Sequence, residues 1–278
     1  STQQPTLFPY TTLFRSENNV LKARQLLELL LQHPPKHFFC VSTDKAANPV
    51  NIMGASKKLM EELIMAYSGK LKITTARFAN VAFSNGSLPQ GFLERLNRRQ
   101  PWSCPLGIRR FFVSPQESGE LCMIASLLGE SGDIIFPKLD EKRDMVAFDV
   151  IAYDLLKYLG MEADVCRTEE EARKKALELN ENSKTYPVYF FETDTSGEKP
   201  YEEFFTEEEM IDNERFINLG VIKNSMKRNL PEIDGIFERL RVLFNSGNVT
   251  KAEVVEILHK WMPSFEHIEK GKGLDSKM

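Results

Sequence analysis

Three adjacent side chains, Thr43, Asp44 and Lys45, set a hydroxyl, a carboxyl and an amine side by side within VSTDKAANPVNIMGASK, the stretch from Val41 to Lys57. Such a trio can orient a substrate hydroxyl while an acid and a base move protons on neighbouring atoms. A second amine, Lys57, follows Met53 by four residues, one turn along a helix and on the same face. Alone, an Asp–Lys pair is an ordinary ion pair. Its place in the chain argues for more. The apolar run Phe38, Phe39 and Val41 reads as a buried strand that carries the trio to its C-terminal edge, where open α/β sheets bind ligands. A loop with Asn48 and Pro49 follows, and a helix opens near Met53-Gly54-Ala55-Ser56-Lys57.

The elements needed to hold such an edge are legible on both sides of it. Val20, Ala23, Leu26, Leu27, Leu30 and Leu31 recur at helical spacing over 18–32, and His33-Pro34-Pro35 stops that helix. The pattern then predicts a strand over 37–43, a helix over 54–68 and a strand over 70–78 built on Leu71, Ile73 and Thr75. Ser84-Asn85-Gly86-Ser87 is a turn by composition, ahead of a helix over 89–98. Ser114-Pro115-Gln116-Glu117 is a capping box with proline at the first helical position, opening a helix to residue 128; a strand over 132–137 follows. Helix alternating with strand is the pattern of a parallel sheet. The expected fold class is therefore α/β: a partial Rossmann-like, doubly wound parallel sheet with a mostly helical C-terminal region. There the spacing predicts helices over 147–159, from Thr168, over 232–244 and over 250–262, with one strand over 186–191 and a polar loop over 192–200. The Glu170–Lys174 and Glu171–Lys175 spacings mark a solvated helix face.

Composition narrows the function classes. With 42% hydrophobic and 27% charged residues, the 278-residue chain is globular and can hold one large or two modest cores. A net charge of −4 leaves no basic footprint for nucleic acid. Cys40, Cys104, Cys122 and Cys166 lack CxxC spacing and read as buried thiols of a reducing, cytoplasmic protein. His33, His37, His259 and His267 show no metal-ligand spacing, and no apolar run reaches transmembrane length.

Ser42-Thr43-Asp44-Lys45-Ala46-Ala47-Asn48-Pro49 and Met53-Gly54-Ala55-Ser56-Lys57 resemble the S-T-D-K-A-x-N-P and M-G-A-[ST]-K strings of one branch of the extended short-chain dehydrogenase/reductase family. That branch comprises the UDP-N-acetylglucosamine 4,6-dehydratase-like enzymes of polysaccharide biosynthesis. Most short-chain dehydrogenases carry tyrosine where Met53 stands; methionine has no ionisable proton, so a tyrosinate base is excluded there. Arg77-Phe78-Ala79-Asn80-Val81 resembles the family's R-F-G-N-V, with alanine for glycine. Ser84-Asn85-Gly86-Ser87 resembles its S-x-G-S loop, and Arg109-Arg110-Phe111-Phe112-Val113-Ser114 its T-R-Y-F-M-T. The resemblance implies Thr43, Asp44, Lys45, Met53 and Lys57 as the catalytic set. It implies Lys57 and Asn19 as cofactor contacts, and Asn80, Ser87 and Arg110 as substrate contacts, with the Arg110 guanidinium on a diphosphate. The plain alternative for Asn80 is a turn-stabilising amide.

The implied activity is a NAD-assisted (in preference to NADP) 4,6-dehydration of a UDP-linked N-acetylhexosamine. Oxidation at C4 acidifies C5, water leaves across C5 and C6, and C6 is reduced. Asp44 would be the acid for the departing hydroxyl, Lys45 the base at C5, Thr43 the group orienting the C4 hydroxyl, and Lys57 the contact to the nicotinamide ribose. The implied partner is a UDP-sugar, and a homo-oligomer is compatible with the sequence. The alternatives are a UDP-sugar epimerase on the same scaffold and a non-catalytic binding fragment.

The N-terminus reads differently from the rest. Thr6 to Ser16, TLFPYTTLFRS, resembles the translation of a common sequencing-library adapter, so 1–16 is expected to be a non-native leader. Residues 17–145 would be the C-terminal half of a NAD(P)-binding Rossmann-like domain with sugar-binding loops, 146–270 a C-terminal α/β extension, and 271–278 a frayed tail. No G-x-x-G-x-x-G turn, which would set backbone amides against a pyrophosphate, occurs in the chain. The expectation is an N-terminally truncated enzyme that by itself neither binds NAD tightly nor turns over.

Overall fold

The structure, a computed structural model, describes residues 18–192, 199, 201–223, 225, 228–247, 249–265 and 267. The expected leader, most of the 192–200 loop and the tail lie outside those residues. In chain order, a π-helical turn (Asn18–Lys22) leads into α1 (Ala23–Gln32), β1 (Phe38–Thr43), a 3-10 turn (Asp44–Ala46), α2 (Ile52–Ala66) and β2 (Ile73–Phe78). Next come β3 (Asn80–Val81), α3 (Leu88–Asn97), β4 (Trp102–Leu106), β5 (Arg109–Val113), α4 (Pro115–Leu128) and β6 (Ile134–Pro137). Then follow α5 (Glu141–Asp144), β7 (Met145–Ala147), α6 (Phe148–Tyr158), β8 (Glu162–Cys166), α7 (Glu169–Ala176) and β9 (Thr185–Glu192). The chain ends in β10 (Met210–Asp212), β11 (Leu219–Lys223), α8 (Leu230–Asn245) and α9 (Lys251–Trp261). It divides into two compact units, one of residues 1–78, 119–138 and 203–278, the other of residues 79–118 and 139–202.

The first unit is built on a five-stranded sheet in the order β1-β2-β6-β11-β10. β1, β2 and β6 run parallel, as the helix–strand alternation predicts. β11 pairs antiparallel with β6 and β10 antiparallel with β11, so the sheet is mixed. The sequence gives little warning of this pair: β10 has three residues, and β11 contains Gly220, a poor strand residue. On one face, Ala76 and Phe78 of β2 pack with Leu121 and Ala125 of α4, Ile135 and Val221. Arg77, between them, points to the opposite face, where Glu61 of α2 meets it. Helices therefore cover both faces, the doubly wound arrangement. Every residue of β2 is buried; its two threonine hydroxyls are satisfied by the carbonyls of Ala125 (2.9 Å) and Cys40 (2.8 Å). α8 and α9, each opened by a capping box (Asn229/Glu232 and Thr250/Glu253), pack on α2, and Arg228 ties them to Glu62.

The second unit holds two three-stranded sheets, β3-β5-β7 and the parallel β4-β9-β8. The core under the parallel sheet joins Phe92 of α3, Trp102 and Cys104 of β4, Ala152 and Leu156 of α6, and Tyr186 and Val188 of β9. The Phe92 and Trp102 rings stack at 4.5 Å, and the Tyr186 hydroxyl donates to the Gln100 carbonyl at 2.6 Å. Thr168 caps α7 as its sequence predicts, accepting from the Glu171 amide at 3.1 Å. The helix face expected to be solvated is so, with Glu170 and Lys174 exposed, and on it Lys175 reaches Glu171 (3.2 Å) and Asp164 of β8 (2.7 Å). Across 146–270 helix outweighs strand, as expected.

Arg77 is fully buried, at 0% exposure, and its charge is answered on the spot. Its Nε and Nη2 bond Glu61 at 3.0 and 2.6 Å, its Nη1 and Nη2 bond Glu209 at 2.8 and 2.7 Å, and Nη1 also reaches the Phe204 carbonyl at 2.7 Å. Lys58 lies 3.6 Å from Glu61 and 3.4 Å from Glu209. Ser42 of β1 donates to Glu61 at 2.8 Å. Burial alone would push both carboxyls up. The Arg77 guanidinium and Lys58 ammonium win: Glu61 is held below its ordinary value, and Glu209 is brought down to about 2. A depressed carboxyl contributes stability that is present above its unfolded value and lost as pH falls through its folded one. Stability is therefore expected to fall as pH drops from about 4.5 to about 2, and Glu209→Gln should flatten that slope in urea titrations. Arg77→Met leaves two buried carboxylates facing each other and should cost about 3–5 kcal/mol at pH 7, read from the urea midpoint. A loss under about 1 kcal/mol would contradict the account.

Candidate active site

In the first unit, β1 ends at Thr43 and the chain turns at once into the 3-10 turn of Asp44 to Ala46. Asp44 is 2% exposed. Its Oδ1 accepts from the Thr43 hydroxyl (2.7 Å), the Lys45 amide (2.8 Å) and the Lys45 Nζ (3.0 Å). Its Oδ2 has no hydrogen-bond partner among the described residues. Buried carboxylate oxygens are nearly always satisfied, so this one marks a place where a further group is wanted. The expected trio is thus one hydrogen-bonded cluster at the C-terminal edge of the parallel strands.

α2 rises directly behind it. Asn51 caps the helix by accepting from the Gly54 amide at 2.8 Å. Gly54 has to be glycine: a Cβ there would sit 2.9 Å from the Lys45 carbonyl oxygen and 3.1 Å from Pro49 Cβ. The close approach sets the first turn of α2 against the turn that carries Lys45. Lys57 makes no hydrogen bond or ion pair among the described residues. Burial holds its ammonium below the ordinary lysine value, slightly offset by the neighbouring Cys40 thiol. Burial likewise pushes the Cys40 thiol up to about 11. Asn19, expected at the cofactor, donates to Ser56 Oγ at 3.1 Å, and Ser56 in turn donates to the Met53 carbonyl at 2.8 Å. Its amide is thereby engaged in bracing the first turn of α2.

The expected substrate contacts lie in the second unit. Asn80 opens β3 opposite Phe112 of β5. Ser87 caps α3, accepting from the Gln90 amide at 3.4 Å. Arg110 is buried: its Nη1 donates to the carbonyls of Arg109 (2.9 Å) and Lys199 (3.0 Å), its Nη2 lies 3.8 Å from Glu202, and its guanidinium sits over the Phe148 ring at 5.8 Å. A diphosphate at Arg110 would have to compete with Glu202. Phe83, in the loop between these residues, adopts a left-handed φ of 56° and is half-exposed.

Sequence reasoning passed over Ser42, Lys58, Glu61 and Glu209. A signal did exist: a charged residue inside the buried strand ITTARF must be paired. What could not be read was that one partner stands 132 residues away.

The profile of the family described as polysaccharide biosynthesis protein matches residues 7–224. The chain belongs to that family. The match begins inside the stretch expected to be foreign. Within the polysaccharide biosynthesis family and beyond, the chain is 28% identical over 222 residues to the Methanocaldococcus jannaschii protein described as uncharacterized membrane protein MJ1061, covering 78% of this chain and 60% of that one. It is 27% identical over 175 residues to the capsular polysaccharide biosynthesis protein CapD of Staphylococcus aureus, covering 59% and 29%. The chain thus spans less than two thirds of either relative. A solved structure of DesIV, the dTDP-glucose 4,6-dehydratase of Streptomyces venezuelae with NAD and TYD bound, matches with a TM-score of 0.51 at 16% identity, covering 90% of this chain and 69% of that one. This likeness is one of fold. Among the described residues, no helix is long and apolar enough to cross a membrane.

The unpaired, desolvated Lys57 makes a prediction about stability. Its folded value lies below its unfolded one, so the charged amine destabilises the fold at neutral pH, and that deficit disappears as pH rises through the ordinary lysine value near 10.4. Lys57→Met should raise the melting temperature at pH 7, with the gap closing toward pH 11, measured by calorimetry. A lower melting temperature at pH 7 would contradict it.

Proposed function

We propose that the Thr43–Asp44–Lys45 cluster, with Lys57, is the catalytic half-site of a NAD-assisted nucleotide-sugar 4,6-dehydratase acting on a UDP-linked N-acetylhexosamine. The observation that carries this reading is the divided Asp44 carboxyl: Oδ1 takes three donors while the buried Oδ2 takes none. An oxygen so placed can carry a proton and hand it to a leaving hydroxyl. The Thr43 hydroxyl, at the strand edge, would orient the sugar's C4 hydroxyl. Lys45, whose Nζ side chain is 26% exposed, would take the C5 proton once its pair with Asp44 has parted. A proton shifted from the Lys45 ammonium to Asp44 within their 3.0 Å pair would give base and acid together. The Asp44 proton would leave in the water, and Lys45 would return the C5 proton to C5 as C6 is reduced. The proton lost from the C4 hydroxyl on its oxidation would replace the one that left.

The residues present fit the cofactor this reading requires. An amine with no hydrogen-bond or ion-pair partner among the described residues suits ribose hydroxyls, and Lys57 would hold the nicotinamide ribose. Bound there, NAD would supply the oxidation at C4 and the closing reduction. Met53, with no proton to give, leaves that work to Thr43 and the Asp44–Lys45 pair. In the second unit, Asn80, Ser87 and Arg110 are the proposed contacts to sugar and diphosphate, Arg110 after exchanging Glu202 for phosphate oxygens.

Asp44→Asn and Lys45→Met are each expected to abolish 4-keto sugar formation, by at least about 100-fold, while leaving nucleotide binding intact. The assay is mass spectrometry of product from UDP-N-acetylglucosamine, using a form of the enzyme that also carries a glycine-rich cofactor turn. Retained turnover in both variants overturns the roles. A product that has lost no water identifies an epimerase instead.

A further inference from the structure

The charged cluster around Arg77 includes the residue before Thr43 and the residue after Lys57. Ser42 immediately precedes Thr43, and being adjacent in a strand the two side chains point to opposite faces. Thr43 turns toward Asp44, while Ser42, 3% exposed, turns inward and donates to Glu61 Oε2 at 2.8 Å. On α2, Lys58 follows Lys57 and joins the same cluster through Glu61 and Glu209.

Glu61 also bears on Lys57 itself. It follows Lys57 by four residues, the spacing at which a lysine and a glutamate on a helix pair. Yet both Glu61 oxygens are committed: Oε1 to Arg77 Nη2 at 2.6 Å, Oε2 to Arg77 Nε at 3.0 Å and to Ser42. Arg77 is in turn held by Glu209 and the Phe204 carbonyl. Among the described residues, Lys57 is left without a carboxylate. Glu203, in the same 203–209 segment, accepts from Asn48 at 2.9 Å, so the loop between the trio and α2 is tied to it as well.

We infer that Ser42, Glu61, Arg77 and Glu209 form the positioning device of the proposed active site, acting through Ser42 on Thr43–Asp44–Lys45 and through Glu61 on Lys57. None of the four reaches a reacting atom. They set where the strand end and the helix start lie, and they keep the ribose-facing amine unclaimed. This rests on the dehydratase reading for its catalytic consequence, though not for its structural one.

Two arms separate these. In the chain as it stands, Ser42→Ala removes one hydrogen bond and leaves the Arg77 pairs in place. The Lys45 amide, which donates to Asp44 at 2.8 Å, is expected to exchange its proton about ten-fold faster by NMR, while amides of the 185–192 strand keep their rates. Glu61→Gln, which retains the shape of the acceptor, should speed the same amide. If Lys45 exchanges no faster in either variant, or only in step with the 185–192 amides, the inference is overturned. In the form carrying a glycine-rich turn, Ser42→Ala should lower kcat about ten-fold and change KM less than about two-fold. An unchanged kcat overturns the catalytic consequence. A wild-type enzyme that yields no 4-keto product overturns the dehydratase reading instead and leaves the exchange arm to decide the positioning claim.

Discussion

A guanidinium with no access to water has to be neutralised where it stands, and the first unit is arranged to meet that demand. Desolvating an ion costs several kcal/mol even after relaxation, so Arg77 is tolerable only with Glu61 and Glu209 both in place. Glu61 comes from α2 and Glu209 from the segment before β10. Ser42 and Lys58 bring in β1 and a second position on α2. A hydrophobic contact between these elements would allow small slips. A bidentate ion pair does not, because its strength depends on paired, directed hydrogen bonds. The proposed chemistry sits on the two elements so fixed.

The same logic explains the glycine in the helix start. The cluster sets the distance between β1 and α2, and the chain between them has to fold back within that distance. It does so through the 3-10 turn and the Asn51 cap, and the helix then passes so close to the Lys45 carbonyl that only a hydrogen fits at Gly54. The proposed reacting groups are thereby carried on a strand end, a 3-10 turn and a capped helix, elements that suit holding such groups to within about 0.5 Å.

Where periodicity was strong, the sequence was a good guide. The 18–32 helix, β1, α2, β2, α4 and the caps at Ser114 and Thr168 lie within two or three residues of their expected places, because each has a local cause in apolar spacing or a capping side chain. The elements that escaped have no such cause. β3 is two residues long, β8 is a short run with two acids in it, and β10 and β11 exist only by pairing with β6. The trio at 43–45 was legible as a site from residue types and from its strand. Arg110 illustrates the limit: its motif speaks for a phosphate ligand, whereas its contacts to Glu202 and Lys199 are tertiary and leave no trace in spacing. The N-terminal stretch is a different case, since the family match begins at residue 7 while the reading of 1–16 came from its likeness to an adapter.

The interleaving of the two units bears on how the protein is made. The chain passes between them after residues 78, 118, 138 and 202, so the sheet begun by β1 and β2 is completed only by strands synthesised much later. Arg77 and Glu209 are 132 positions apart, which at ribosomal speed is a delay on the order of ten seconds. During that interval the nascent β2 carries a cation that has no second carboxylate to close over it. The Arg77–Glu209 pair can close over that strand only after position 209 has been made, whereas every residue of the second unit is present by 202.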